Sequence, residues 1–514
     1  MSHPTPAMRL DEVVRQRART TAVTAALIYA RAPFAGVVVT WGELDRWADA
    51  FARTLHRAGV QPGNRVALIL RDDPACIAAI YGTLRAGAVL IPIDPKWGGP
   101  AIARILGHAD IHALVGASRG ETFEQLGFDR AYEPGFVAFC DQPTGAVEPV
   151  IAPGSADDLA MIAFTSGTTS GPKGVMIRHA HLQAAYASCV ASLDLSGVRR
   201  FGCTLRLSGL GVLGTGYLLA HFCAATAVVL PELTLETARD FWSICERYHI
   251  DFIYLVPALV QVMNKLTEPL PPGGHVPLVM VGAAPITAET HEAFQVRFGA
   301  RMFNCYGLTE ASFAVFFGQR RADGFGTPSI GPARGVEARL LDADGRTITA
   351  PAATGLLQFR GPMLSDGYWR HPEATREMFP DGWLHTGDIA ERDADGNYFI
   401  RGRQKDVVIR GGFNIHLQEV DEALLSHPAV LGACAVGAPD KYSGEEVYAL
   451  VKLKEDGALR EAELLAWCKQ RLGDGRSPRR IVYSTADIPR NGAGKVARRD
   501  ALATIADHLH LALS

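Results

Sequence analysis

The sequence predicts an α/β protein: a large N-terminal domain of several sheets, then a small α+β C-terminal domain. Three observations carry this. Continuous apolar runs alternate with amphipathic runs over the first 140 residues, the pattern of parallel strands covered on both faces by helices. A chain of 514 residues exceeds one compact core, for which about 100–200 residues suffice. A fresh α/β pattern starts near residue 405, leaving roughly a hundred residues, enough for an independent domain. The predicted division is therefore 1–404 and 405–514.

The elements follow in order. Asp11 and Glu12 precede a basic and then apolar stretch, and Val13, Val14, Ala18 and Val23 fit one helix face, so a helix is expected rather than a cleaved leader. Leu44, Trp47, Ala48, Phe51, Ala52 and Leu55 recur at three and four residues and predict a helix ending near Gly59. Strand Arg65 to Leu70, helix Cys76 to Leu84 and strand Ala88 to Ile93 follow. Asp141 to Asp158, rich in Pro, Gly and Ala, reads as a surface connection. Leu207 to Leu230 contains no Asp, Glu, Lys or Arg, but its glycines and β-rich end predict a buried helix and strand, not a membrane span. Leu356 to Phe359 and Gly396 to Ile400 read as strands. In the small domain, Glu419 to Ser426 and Glu461 to Leu472 read as helices, and Val430 to Val436 and Val447 to Leu453 as strands.

Composition excludes several functions. Lys and Arg number 51 against 54 Asp and Glu, so no excess of positive charge exists to hold a nucleic acid. Nine scattered cysteines with no Cys-x-x-Cys pair fit free thiols in a cytoplasmic protein.

The strongest chemical signal is Thr165-Ser166-Gly167-Thr168-Thr169-Ser170-Gly171-Pro172-Lys173-Gly174, after the apolar strand Leu159 to Phe164. Glycines let backbone N–H groups approach an anion, hydroxyls donate to it, and Lys173 adds charge, which suits a polyphosphate. It is not a P-loop, because Pro172 intervenes and Gly174 follows the lysine.

This run resembles the phosphate loop of the AMP-forming adenylate superfamily of acyl- and aryl-CoA synthetases, adenylation domains and luciferases. Thr40-Trp41-Gly42-Glu43-Leu44 and Gly87 to Asp94 resemble its early motifs. Asn304-Cys305-Tyr306-Gly307-Leu308-Thr309-Glu310, Thr386-Gly387-Asp388, Gly402-Arg403-Gln404-Lys405-Asp406 and Pro489 to Lys495 resemble its later ones, in order along the chain. The resemblance implies the adenylate-forming fold with a mobile small domain hinged at Lys405.

It also implies roles. Thr165, Ser166, Gly167, Thr168 and Thr169, with Lys173, would cradle the phosphates of ATP. Tyr306 would offer a flat face to the base and Gly282, Ala283 and Ala284 the other, with Asn304 and Gly307 alongside. Thr309 would reach a phosphate oxygen and Glu310 would bind Mg2+. Asp388, with Arg403, would hold the ribose hydroxyls. Lys495, on the flexible loop 491–494, would bridge the acid and the α-phosphate. Gly411 and Gly412 would line a pantetheine passage for CoA.

One departure concerns the acid. Where acyl-CoA synthetases commonly read Leu-Pro-Leu-Phe-His, this chain reads Leu205-Arg206-Leu207-Ser208-Gly209. An Asp that would hold an α-ammonium is missing, which disfavours amino acids. Gly209, Gly211 and Gly214 either leave room for a bulky, largely apolar acid or let a helix pack closely. The expected function is ATP-dependent adenylation of an aryl or bulky acyl acid and transfer to CoA. A carrier protein or an amine as acceptor, and a non-carboxylate oxyanion such as nitrite, are the alternatives.

Overall fold

The structure, a computed structural model, describes residues 8–95, 97, 99–116, 135–138, 150, 154–165, 172–234, 236–269, 274–324, 326–410, 413–440, 443–455, 459–473, 475–490 and 496–509. The chain forms two compact units. One comprises 1–338 and 359–385; the other comprises 339–358 and 386–514.

The first unit contains two sheets. Six strands lie in the order Gly135–Ala138, Ala113–Gly116, Arg65–Ile69, Val89–Ile93, Leu159–Thr165, Lys173–Arg178. Arg65–Ile69 and Val89–Ile93 pair in parallel across the helix Pro74–Arg85, the strand–helix–strand unit that the apolar runs predict. Asp73 caps that helix by accepting from Cys76 N at 2.7 Å. The last strand pair is antiparallel, with Thr165 opposite Lys173. The second sheet has eight strands in the order Ala314–Phe317, Met302–Gly307, Leu278–Val281, Phe252–Leu255, Arg200–Cys203, Thr226–Val229, Ala25–Tyr29, Val38–Thr40. Trp242, Phe294 and Phe298 pack edge-on to one another, with Phe241 beside them, in the core cluster of this sheet.

Thr40 to Leu44 is a helix start. Glu43 N donates to Thr40 Oγ1 at 3.2 Å, and Glu43 Oε2 accepts from Thr40 N at 2.8 Å, a capping box opening the helix Trp41–Arg57. That backbone bond also lowers the pKa of Glu43.

Two expectations need correction. The first helix is Leu10–Thr21, and Val23 lies beyond it at 88% exposure. The apolar residues after Val23 form the strand Ala25–Tyr29 instead, because Leu27 to Tyr29 pair with Ala227 to Val229. Gly396 belongs to a turn, with φ +83°, and its strand is Tyr398–Arg403. Residues 207–230 do form a buried helical segment and then Thr226–Val229. Among the described residues no helix is long and apolar enough to cross a membrane. Most of 141–158 lies outside the described residues.

The second unit also has two sheets. Four strands run in the order Glu337–Leu341, Ala353–Arg360, Leu384–Arg392, Tyr398–Arg403. The other sheet orders Phe413–His416, Val407–Arg410, Gly444–Leu453 and Val430–Asp440, with Arg480–Tyr483 parallel to Gly444–Leu453. Helices Leu417–Leu425 and Glu461–Leu472 bury Val420, Leu424, Leu464 and Cys468. Helix Arg498–Leu509 buries Ala501 and Ile505 in a separate cluster with Val436 and Leu450.

Candidate active site

In the first unit, the polyphosphate-type run joins the antiparallel strands Leu159–Thr165 and Lys173–Arg178. Ser166, Gly167, Thr168 and Thr169 lie outside the described residues, as does the side chain of Thr165. Gly174 is tightly enclosed: a Cβ there would lie 2.6 Å from Ile162 Cγ2 and 2.9 Å from Phe164 Cζ. Segment 366–369 runs antiparallel beside it, with Met176 N donating to Gly367 O at 2.9 Å and Trp369 N to Gly174 O at 2.7 Å.

This strip sets Tyr368 between two of the expected residues. Lys173 Nζ stands 5.1 Å from the Tyr368 ring centroid, over its electron-rich face. Tyr368 Oη donates to Glu310 Oε1 at 2.7 Å. Ser365 N donates to the Glu310 carbonyl at 2.9 Å, so the acid is fixed at both ends. Burial and the Glu310 charge raise the Tyr368 pKa, which keeps the phenol a donor. Sequence inspection misses Tyr368, because it stands 58 residues from Glu310 and no local motif marks it.

Strand Met302–Gly307 delivers Asn304, Tyr306 and Gly307, and the turn Thr309–Ala311 delivers Thr309 and Glu310. Val281 and Asn304 are paired in parallel, so Gly282 and Cys305 emerge side by side at the carboxyl edge of the sheet. A Cβ on Gly282 would lie 2.5 Å from Cys305 Sγ. Tyr306 is half-buried and edge-on to Phe316, while Ala283 and Ala284 are exposed. Asn304 Nδ2 donates to Pro328 O at 2.5 Å. Ala283 and Ser312 hold φ of 69° and 63°, conformations that side chains avoid and that cluster at functional sites. Burial pushes the Cys305 thiol up to about 12, so it is no thiolate nucleophile at neutral pH.

Gly307 tolerates nothing larger. A Cβ would sit 2.2 Å from the Phe313 carbonyl oxygen, and backbone cannot give way cheaply. Gly307→Ala is therefore expected to destabilise the protein by about 1–3 kcal/mol and displace Tyr306 and Thr309. Chemical denaturation and ATP-induced thermal shift measure both effects; an unchanged protein contradicts the assignment.

The altered segment 205–209 and the residues just before it are held by a buried ion pair. Arg31 Nη1 meets Asp72 Oδ2 at 2.8 Å, and Arg31 Nε and Nη2 donate to Leu230 O and Thr204 O at 2.8 and 3.0 Å. Asp72 Oδ1 accepts from Leu207 N at 2.9 Å. Arg206 pairs with Glu232 at the surface. The glycines divide into two kinds. Nothing lies within 4 Å of a Cβ on Gly209 or Gly211, whereas Gly214 would meet Phe313 at 3.2 Å and Gly216 would meet Cys203 Sγ at 2.9 Å. Room and close packing thus both occur, at opposite ends of the run.

In the second unit, Asp388 and Arg403 are cross-strand partners, with Arg403 Nε 2.9 Å from Asp388 Oδ1. Asp388 is 3% exposed, and its backbone N–H donates to Thr386 Oγ1 at 3.0 Å. Gly387 takes φ +69° to turn the chain between them. Lys405 is exposed on the turn Gln404–Asp406. Gly411, Gly412 and Lys495 lie outside the described residues. The ends of the Lys495 loop are closed by a bridge between Arg490 and Val496 and by Ala497 N donating to Pro489 O at 2.9 Å.

Comparison with known proteins agrees with this geometry. The family model described as AMP-binding enzyme matches residues 11–369, and that of the AMP-binding enzyme C-terminal domain matches 419–495. The chain is 32% identical to a sulfoacetate–CoA ligase of Cupriavidus necator over 91% of its length and 93% of the relative's. It is 29% identical to a feruloyl-CoA synthase of an Amycolatopsis species, over 90% and 93% of the two chains. An ATP-bound MatB from Rhodopseudomonas palustris shares the fold, with a TM-score of 0.83, 24% identity and coverage of 98% and 100%. The two family models together span most of the chain, and with the relative at 32% identity they place it: the chain belongs to the AMP-binding enzyme family, the AMP-forming adenylate superfamily, among its acid–CoA ligases.

Proposed function

We propose that the chain activates an aryl or bulky acyl acid as its acyl-AMP and passes it to CoA in the cytoplasm. The observation that carries this reading is the Lys173–Tyr368–Glu310 arrangement, which sets a cation and a buried carboxylate at the end of a polyphosphate-type loop. Relatives named for sulfoacetate, ferulate, carnitine and oxalate support CoA as acceptor.

In the first half-reaction a carboxylate oxygen attacks the α-phosphorus in line, the bond to the bridging oxygen breaks, and pyrophosphate leaves. Residues 165–169 and Lys173 hold the polyphosphate. Tyr306, with Gly282, Ala283 and Ala284, holds the base, and Asp388 with Arg403 the ribose. Glu310 is the residue that would hold Mg2+: it is a hard, buried oxygen donor, and among the described residues no cluster of three or more His, Cys, Asp or Glu side chains competes for it. Bound with ATP, the cation supplies charge neutralisation on the polyphosphate. In the second half-reaction residues 405–514 turn about Lys405, withdrawing Lys495. A thiol entering past Gly411 and Gly412 then attacks the anhydride carbonyl, AMP leaves, and the thiol proton passes to solvent.

Tyr368→Phe tests the arrangement. Loss of one hydrogen bond to a carboxylate is expected to lower kcat/KM for ATP about tenfold, with the thermal midpoint little changed. An unchanged kcat/KM contradicts the role. The acid class is tested by mass detection of acyl-CoA: benzoate or octanoate should exceed acetate, and the reverse order overturns the bulky-acid reading.

A further inference from the structure

The carboxyl edge of the eight-stranded sheet is shared by the expected base site and the altered segment. Strands Met302–Gly307, Leu278–Val281, Phe252–Leu255, Arg200–Cys203, Thr226–Val229 and Ala25–Tyr29 are neighbours, and each pairs in parallel with the next. The chain therefore leaves toward Gly282, Thr204, Leu230 and Arg31 at one edge, where ligands of such sheets bind. Thr204 and Gly282 leave two strands apart, a separation of about 10 Å. Asp72 comes to Arg31 from the other sheet, beyond the carboxyl end of strand Arg65–Ile69.

The side chains of Arg31 and Asp72 are 9% and 10% exposed, and both direct their remaining atoms at the segment. Arg31 Nη2 donates to Cys203 O at 3.4 Å as well as to Thr204 O, and Asp72 Oδ1 accepts from the Tyr217 hydroxyl at 3.4 Å as well as from Leu207 N. Thr204 and Leu207 are buried, whereas Ser208, Gly209 and Leu210 are half-buried, and a Cβ on Gly209 would meet nothing within 4 Å. The chain is thus held up to Leu207 and meets open space immediately after it. For stability alone, an apolar pair of like volume serves as well as a buried ion pair. What the charges add is direction, because their hydrogen bonds fix particular backbone atoms of separate segments in one geometry.

We propose that Arg31 and Asp72 are positioning residues for acid selection: by fixing Thr204 and Leu207 they set where Ser208, Gly209 and Leu210 stand at the carboxyl edge, and these three residues bound the acid. This rests on the adenylation reading and deepens it. Neither residue acts on the reacting atoms; both act through the segment.

The test compares acid-dependent pyrophosphate release by the full-length protein, Arg31→Lys and the double variant Arg31→Met/Asp72→Leu, on benzoate, octanoate and acetate. The double variant removes both charges together, so its thermal midpoint should stay near that of the wild type. Its kcat/KM for the best acid should fall about tenfold or more, and the ratio between best and worst acid should narrow by about the same factor, with KM for ATP within about twofold. Arg31→Lys keeps the charge opposite Asp72 but loses the planar fork that reaches Thr204 and Leu230 together. It should lose at least about threefold on the best acid, and it decides the matter if the double variant does not fold. A folded variant whose acid kcat/KM and acid ranking match the wild type overturns the proposal. Equal rises in KM for acid and for ATP overturn it too, because they mark general loosening. If the wild type releases no pyrophosphate with any acid, the adenylation reading falls and the proposal with it.

Discussion

Lys495→Ala is expected to cut acid-dependent pyrophosphate release by about 10²–10³-fold, the cost of removing one charge aimed at a developing anion. Two anions, the carboxylate and the α-phosphate, must meet in that step, and a lysine ammonium is a compact charge on a long stem that can sit between them. The loop supports this use. Its ends are pinned by the Arg490–Val496 bridge and the Ala497–Pro489 hydrogen bond. ATP binding should survive in the variant, and so should thiol transfer from supplied acyl-AMP. Equal loss of both half-reactions would count against withdrawal of Lys495 between them.

Arg498→Ala should destabilise the second unit by about 3 kcal/mol, the low end for a buried pair because both side chains retain some exposure. Arg498 Nη2 lies 2.8 Å from Asp421 Oδ2, its Nε 3.3 Å from Asp406 Oδ2, and Nη1 donates to Ala435 O at 2.7 Å. It thus ties the chain just after Lys495 to the residue next to Lys405. Burial raises the Asp421 pKa even with Arg498 opposing it. A carboxyl whose folded pKa is raised binds its proton more tightly when folded, so its contribution favours folding at low pH and fades as pH rises through that pKa. Without Arg498 the pKa rises further. The penalty of Arg498→Ala should therefore shrink on acidification toward the ordinary carboxylate range, and urea denaturation across pH measures it. A penalty independent of pH contradicts the ion-pair account.

Local pattern made much of this legible. The strand–helix–strand units and the buried helix and strand within 207–230 follow from periodicity and charge. Val23 escaped because apolar periodicity does not mark where a helix stops, and strand pairing took over the next residues. Tyr368 and the Arg31–Asp72 pair were not legible for another reason. Each acts across a long sequence separation, Tyr368 on Glu310 58 residues away and Arg31 on Thr204 173 residues away, and single residues at such distances leave no local signature. Gly209 and Gly214 looked alike in sequence; only their surroundings, open space against the Phe313 ring, tell them apart.

The most direct test of the central claim is pyrophosphate release with ATP and magnesium, over aryl, fatty and amino acids plus nitrite, each with and without CoA. The account predicts fast turnover that requires both one bulky acid and CoA. Release indifferent to CoA, or elicited by nitrite alone, would contradict it.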